Sequence, residues 1–227
     1  GRALLSCPAG QHSKIAFRDM LKKKYTDISA LNAAWKSDYK DWDDFLARKD
    51  FDTTVPAAQE DFAAIEKVIT DAYFTACRDA VKSASPDALY LGCRFGFGWL
   101  NPIVIKSAFD NCDVVTFNIY RDSPNGVKEK LVDGIADKPV LIGGSLCPKP
   151  SSAERTKSMK SYLKDAVKNP MIIGAHWFQY TDQYTTGRFD GENGALGFVD
   201  ICDTPKYDMA AAMNEMSRKM YRLRFGE

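Results

Sequence analysis

Four short apolar segments, each followed by a stretch of helical periodicity, predict an α/β fold built on a parallel sheet of βα units. Two further observations support that class. PVLIG and MIIGA are near-continuously apolar, as strands buried on both faces of a parallel sheet are. Polar and aromatic residues also gather where the apolar segments end, the place where parallel βα folds keep their chemistry.

The chain opens with helices. Over 13–25, Ile15, Ala16, Phe17, Met20 and Leu21 recur at helical spacing, and Lys22, Lys23 and Lys24 suit a helix C-terminus. A short helix is expected over 27–35, with Thr26 or Asp27 as its cap. YKDWDDFL adds a second short turn carrying Trp42, Phe45 and Leu46. A long helix over 57–83 places Phe62, Ile65, Ile69, Tyr73, Ala76, Cys77 and Ala80 on one face. Residues 1–84 thus form a helical lead-in, and βα units fill 85–227 of a single domain.

The turn Ser85-Pro86-Asp87 opens a strand at 88–95 (ALYLGCRF). A short helix at 103–111 leads to a strand at 114–120 (VVTFNIY). A helical or irregular piece near 127–131 precedes a strand at 139–143 (PVLIG), and Ser151 or Ser152 caps a helix to about 168. Next come a strand at 171–180 (MIIGAHWFQY), a polar Gly-rich loop to Asn193 and the apolar stretch 197–201. An amphipathic helix over 205–224 follows.

Composition narrows the function. The chain has 227 residues, 45% of them hydrophobic, enough for a real core. Its 31 basic and 30 acidic residues nearly cancel, giving no electrostatic reason to expect nucleic acid or an anionic membrane as a partner. No apolar run approaches the ~20 residues that span a bilayer. The opening GRALLSCPAG lacks the length and order of a signal peptide and does not resemble a natural start. Cys7, Cys77, Cys93, Cys112, Cys147 and Cys202 show no ligand spacing and are expected to be buried, reduced thiols. With only His12 and His176 in the chain, a His-based metal site is disfavoured, and neither metal nor cofactor is expected.

The segment ends read Cys93-Arg94-Phe95, Phe117-Asn118-Ile119-Tyr120, Gly143-Gly144-Ser145 and His176-Trp177-Phe178-Gln179-Tyr180. Amides, a guanidinium and an imidazole among aromatic rings suit a sugar. Rings stack on its apolar face while the polar groups hydrogen-bond its hydroxyls.

In order along the chain, FRDMLKKKYTDISALNAAWKSDYKDWDDF, ALYLGCRF, CDVVTFNIYRD, DKPVLIGG and IIGAHWFQYTDQYTTGRFDGENGALGFVDICDTP resemble the C-terminal half of a β-agarase. The family is glycoside hydrolase family 50, whose relatives are the clan A β-galactosidases. The resemblance covers nearly the whole chain. It implies a (β/α)₈ TIM barrel of which these residues supply the second half, strands five to eight. It also implies retaining hydrolysis of β-galactosidic bonds in agar-type galactans. That reaction uses two carboxyls about 5–5.5 Å apart: an acid/base Glu ending the fourth strand and a nucleophile Glu ending the seventh. The fourth strand lies outside the chain. Where the family reads Gly-Glu-Phe, this sequence reads Gly143-Gly144-Ser145, so Gly144 holds the nucleophile position. The following LCPKPSSAER is also shorter than the family's loop. Neither catalytic Glu is therefore expected here.

The resemblance further implies substrate binding by Arg94, Asn118, Tyr120, His176, Trp177, Gln179, Asp182, Glu192 and Asn193. Tyr120 resembles the tyrosine that hydrogen-bonds the nucleophile, and Trp177 the tryptophan that floors the sugar site. Glu192 and Asn193 are expected to bind hydroxyls, and Asp113 to face the opposite end of the sheet. A Cys147–His176 hydrolase has no supporting signature. Two functions follow: part of a galactan-cleaving hydrolase, or a non-catalytic descendant that keeps a sugar-binding surface. The expected partners are a galactan oligosaccharide or polysaccharide, and either the remaining half of the barrel or a second copy of the chain. The family implies an extracellular or periplasmic location.

Overall fold

A computed structural model describes residues 4, 6–49, 54–96, 98, 100–125, 137–145, 149 and 151–226. They group into two units, Gly1–Asp79 with Ile103–Ser107, and Ala80–Pro102 with Ala108–Glu227. The first unit contains α1 (His12–Lys24), α2 (Ile28–Trp35), α3 (Trp42–Ala47) and most of α4 (Pro56–Ala84). Asp27 caps α2 by accepting from the Ala30 N–H, and Asp41 caps α3 by accepting from Asp43 and Asp44. The apolar stripes of these helices meet in one core, where the Phe17 ring lies 5.2 Å from Phe62 and 6.0 Å from Phe45. Beside it Asp61, only 1% exposed, accepts from Lys24 Nζ at 2.6 Å, Tyr25 Oη at 2.8 Å and Trp35 Nε1 at 2.9 Å. Those donors offset the desolvation cost of a buried carboxylate and tie three segments together.

The second unit is the βα portion. β1 (Arg94–Gly96), β2 (Val115–Asn118), β3 (Val140–Ser145) and β4 (Ile172–Trp177) form a parallel sheet in the order β1-β2-β3-β4. It is accompanied by the C-terminal part of α5 (Pro102–Asn111), by α6 (Ser152–Lys168) and by α7 (Tyr207–Phe225). The inner strands β2 and β3 are buried almost throughout, whereas the outer β1 and β4 carry exposed positions. The Phe117 ring packs 6.5 Å from Phe109 of α5, so strand alternation turns Val115 and Phe117 toward the helices. Thr116 and Asn118 face the other way. Met159 of α6 with Met209 and Ala212 of α7 makes a second core, against which Trp177 and Phe198 pack. Ser151 and Glu154 close a capping box at the start of α6. In the last turn of α7, Arg224 donates to the carbonyls of Val167, Asn169, Pro170 and Ile172.

Several expectations change. The strand expected at 88–95 begins only at Arg94. Gly92 adopts φ +63°, Leu89 and Leu91 are exposed, and Tyr90 is held by a loop contact instead of a ladder: it donates to Asp113 Oδ2 and accepts from the Asp113 N–H. Lys82, 2.8 Å away, and the Tyr90 N–H hold the Asp113 carboxyl below the usual range. Stretch 197–201 makes only isolated bridges through Val199. The piece near 127–131 lies outside the described residues, as do Cys147 and most of 146–150. Burial pushes the Cys112 thiol up to about 11, but Cys7, Cys77 and Cys93 are half-buried and Cys202 is exposed in a turn. Buried thiols were thus expected too widely: an apolar neighbourhood in sequence does not place a residue on the packed face. Among the described residues, no helix is long and apolar enough to cross a membrane.

Candidate functional site

Because the strands are parallel, their C-terminal ends lie on one side of the sheet. There β2 and its continuation bring Asn118 and Tyr120 over the backbone of Gly144 in β3. Asn118 Nδ2 donates to Tyr120 Oη at 3.4 Å, and the Ile119 N–H donates to the Gly144 carbonyl at 2.9 Å. A Cβ on Gly144 would stand 2.8 Å from Tyr120 Oη and 3.1 Å from Asn118 Oδ1. The phenol thus fills the space that a side chain at 144 would enter. Asn118 Oδ1 is buried and has no hydrogen-bond partner. The register between β2 and β3 shifts between Phe117 and Asn118, so Asn118 pairs with Gly144 while Gly143 is passed over. The stem of Arg94 lies across Gly143: a Cβ there would be 2.7 Å from Arg94 Cδ, and Arg94 Nη1 donates to the Gly143 carbonyl at 3.3 Å.

From β4, His176 is exposed, and its carbonyl accepts from Ser145 Oγ at 2.9 Å. Phe178 follows, its ring edge-on to Tyr120 with centroids 6.2 Å apart. Arg94, Asn118, Tyr120 and Phe178 therefore lie around the Gly143-Gly144 backbone. Gln179 stands just beyond β4 and donates Nε2 to the Thr181 carbonyl.

Trp177 is not on this face. It packs against the Met159–Met209–Ala212 core and donates Nε1 to the Leu196 carbonyl at 2.9 Å. Strand alternation accounts for this placement: neighbouring strand residues point to opposite faces, so 176 and 177 do not both face the ends of β2 and β3. That rule was available in HWF, and it identifies Phe178, which sequence reasoning passed over. Asp182 is also engaged elsewhere. Its Oδ1 accepts from the Gly197 N–H at 2.7 Å and Lys206 Nζ at 2.6 Å, and its side chain is 11% exposed. Glu192 accepts from Gln183 Nε2 at 2.7 Å and lies 3.5 Å from Arg188 Nη1, while the neighbouring Asn193 is exposed.

The chemistry on offer is hydrogen bonding by an amide, a phenol and a guanidinium beside an aromatic ring. That set matches a polyol with an apolar face. Gly144, which Asn118 and Tyr120 overlie, carries no side chain.

Residues 6–142 match the glycoside hydrolase family 42 model, described as beta-galactosidase. Beta-agarase B of Vibrio sp. (strain JT0107) is 34% identical over 232 residues, which cover 94% of this chain and 24% of that protein. Beta-agarase A of the same strain is 34% identical over 219 residues, 88% of this chain and 22% of that protein. The solved structure of an exo-beta-agarase superposes with a TM-score of 0.89 at 34% identity, covering 99% of this chain and 32% of its own. That of another agarase gives 0.85 at 35%, covering 98% and 34%. The chain spans about a quarter of the length of the curated relatives it matches.

Proposed function

The chain belongs to glycoside hydrolase family 42, the β-galactosidases, and from that premise we propose that it is the sugar-binding second half of a β-agarase-like (β/α)₈ barrel. Its β1 to β4 correspond in this reading to strands five to eight. The ligand is a galactan oligosaccharide or polysaccharide met outside the cytoplasm. The observation that carries the proposal is the convergence of Asn118 and Tyr120 on Gly144 at the strand ends, with Arg94 and Phe178 beside them. Asn118, Tyr120 and Arg94 bind hydroxyls, His176 and Gln179 extend the polar rim, and Phe178 takes the stacking role first expected of Trp177.

Retaining hydrolysis needs two carboxyls across the scissile bond. In this reading the nucleophile position is Gly144 and the acid/base belongs to strands outside the chain, so the chain binds galactan without cleaving it. The non-catalytic alternative has one observation in its favour: Tyr120 Oη already stands 2.8 Å from where a Cβ at 144 would be.

A mass-verified preparation of the 227-residue chain tests this. It is expected to show no hydrolysis of agarose or nitrophenyl β-galactoside above background, since loss of acid–base help alone costs about 10²–10⁴-fold. Gly144→Glu is not expected to restore turnover by itself. Saturable binding of an agarose oligosaccharide, weakened by Asn118→Ala, supports the proposal. Turnover by the pure chain overturns it.

A further inference from the structure

We propose that Asn193-Gly194 is a deamidation site held shut by Gln183, and that opening of this contact commits Asn193 to conversion into aspartate and isoaspartate. The step needs only hydroxide and water, so it stands apart from the galactan reading of the strand ends.

The chain has two Asn-Gly steps, Asn125-Gly126 and Asn193-Gly194. Such a step is chemically weak, because a glycine after asparagine puts no side chain in the way of its own nitrogen. Hydroxide takes the proton of the Gly194 N–H, and the nitrogen attacks Cγ of the Asn193 amide. A C–N bond forms, the side-chain nitrogen leaves as ammonia with a proton from water, and a five-membered succinimide remains. Water then adds to one of the two ring carbonyls and breaks its bond to nitrogen. One cleavage gives aspartate, the other isoaspartate, in which the main chain runs through the side chain. The net change is one water consumed and one ammonia released.

At this position the electrophile is open and the nucleophile is tied. Asn193 is exposed, so hydroxide and water reach its amide. A Cβ at Gly194 would lie 2.8 Å from Leu196 Cγ, so the fold favours glycine where glycine speeds the reaction. Against this, the Gly194 N–H donates to Gln183 Oε1 at 2.6 Å, and the Gly194 carbonyl accepts from the Gln183 N–H at 3.0 Å. Gln183 is 5% exposed, and its Nε2 donates to Glu192 at 2.7 Å, which fixes the way its amide faces. A hydrogen-bonded N–H gives up its proton only when the bond opens. Cyclisation would also abolish that N–H and strand Gln183 Oε1, a buried acceptor, without its donor. Both effects hold the ring closure back. Isoaspartate lengthens the main chain between 193 and 194, so the paired bonds to Gln183 do not re-form and the change runs one way.

Asn193 carries the only amide side chain in the tryptic peptide 189–206, so a mass gain in that peptide reports deamidation there alone. The test incubates the full chain at mildly alkaline pH and digests it at intervals. Folded parent is expected to gain that mass about tenfold more slowly than parent held in guanidinium chloride. Gln183→Met, close to glutamine in length but without its acceptor, is expected to lift the folded rate most of the way to the denatured one. Hydrogen exchange at the Gly194 amide should be slow in the parent and fast in Gln183→Met. Equal rates at Asn193 in folded and denatured parent overturn the proposal, as does free exchange of the Gly194 amide in the folded parent. So does a folded Gln183→Met that deamidates no faster than the parent. If Gln183→Met does not fold, the two measurements on the parent decide.

Discussion

Gly143 and Gly144 are neighbours in sequence, yet an added methyl would meet opposite conditions at the two positions. At 143 it would lie 2.5 Å from Thr116 Cγ2, on a residue 4% exposed and fixed between strands. At 144 it would press on Tyr120 Oη, the far end of a half-exposed side chain that can swing away. Gly143→Ala is therefore expected to cost about 1–3 kcal/mol of stability and Gly144→Ala less than about 1 kcal/mol. Urea denaturation of both variants checks the order, and a reversed order would mean that the Tyr120 ring is fixed. The same pair of glycines shows how far the site could be read in advance. That β3 ends in two glycines and a serine was legible in Gly143-Gly144-Ser145. That the phenol of Tyr120 fills the opening was not, because a rotamer chosen by a neighbour's missing side chain leaves no trace in composition or spacing. That Trp177 and His176 take opposite faces was legible in period-two alternation. That Lys206, 24 positions away, holds the Asp182 carboxylate was not legible locally.

Helices were the easier elements to read, since their periodicity and caps are local. Asp27, Asp41 and Ser151 each make the N-terminal hydrogen bonds of the helix they precede. Ser151→Ala removes one half of the capping box and should cost about 1 kcal/mol. A midpoint shift in urea at unchanged slope would register it, and no shift would mean that the Glu154 carboxylate carries the cap alone. Strands were harder to bound, because a strand ends where its partner ends. ALYLGCRF is largely apolar as far as Cys93, but only Arg94–Gly96 finds a ladder on β2. The first part of that segment answers instead to Asp113 and to the left-handed Gly92. An edge strand has one partner to define it, so its length is the least legible from sequence alone.

At the scale of the whole molecule, β1 and β4 are the outer strands of a four-stranded sheet, and an outer parallel strand presents unpaired N–H and C=O groups. Beside β4 runs an apolar groove of 430 Å³ lined by Ile173, Met216, Met220, Tyr221 and Phe225 among others. Ile173 is 57% exposed. On the half-barrel proposal this is where further βα units dock, from a longer polypeptide or from a second copy in a four-plus-four barrel. The isolated 25.3 kDa chain is accordingly expected to sediment as a dimer or larger species. A stable monomer whose Ile172–Trp177 amides exchange freely with solvent would require the strand correspondence to be redrawn. Parallel pairing was legible from the alternation of strand and helix. What covers the two outer edges was not, because unpaired groups specify a strand and not whose strand it is.

Arg224 lends the last turn of α7 a significance beyond its own helix. One guanidinium satisfies the carbonyls that end α6 and lead into β4, so this helical turn acts as a clasp on a segment more than fifty positions upstream. Arg224→Ala would not merely remove a charge from a helix. It would open the clasp, leave those carbonyls to water, and loosen the entry to the strand that carries His176.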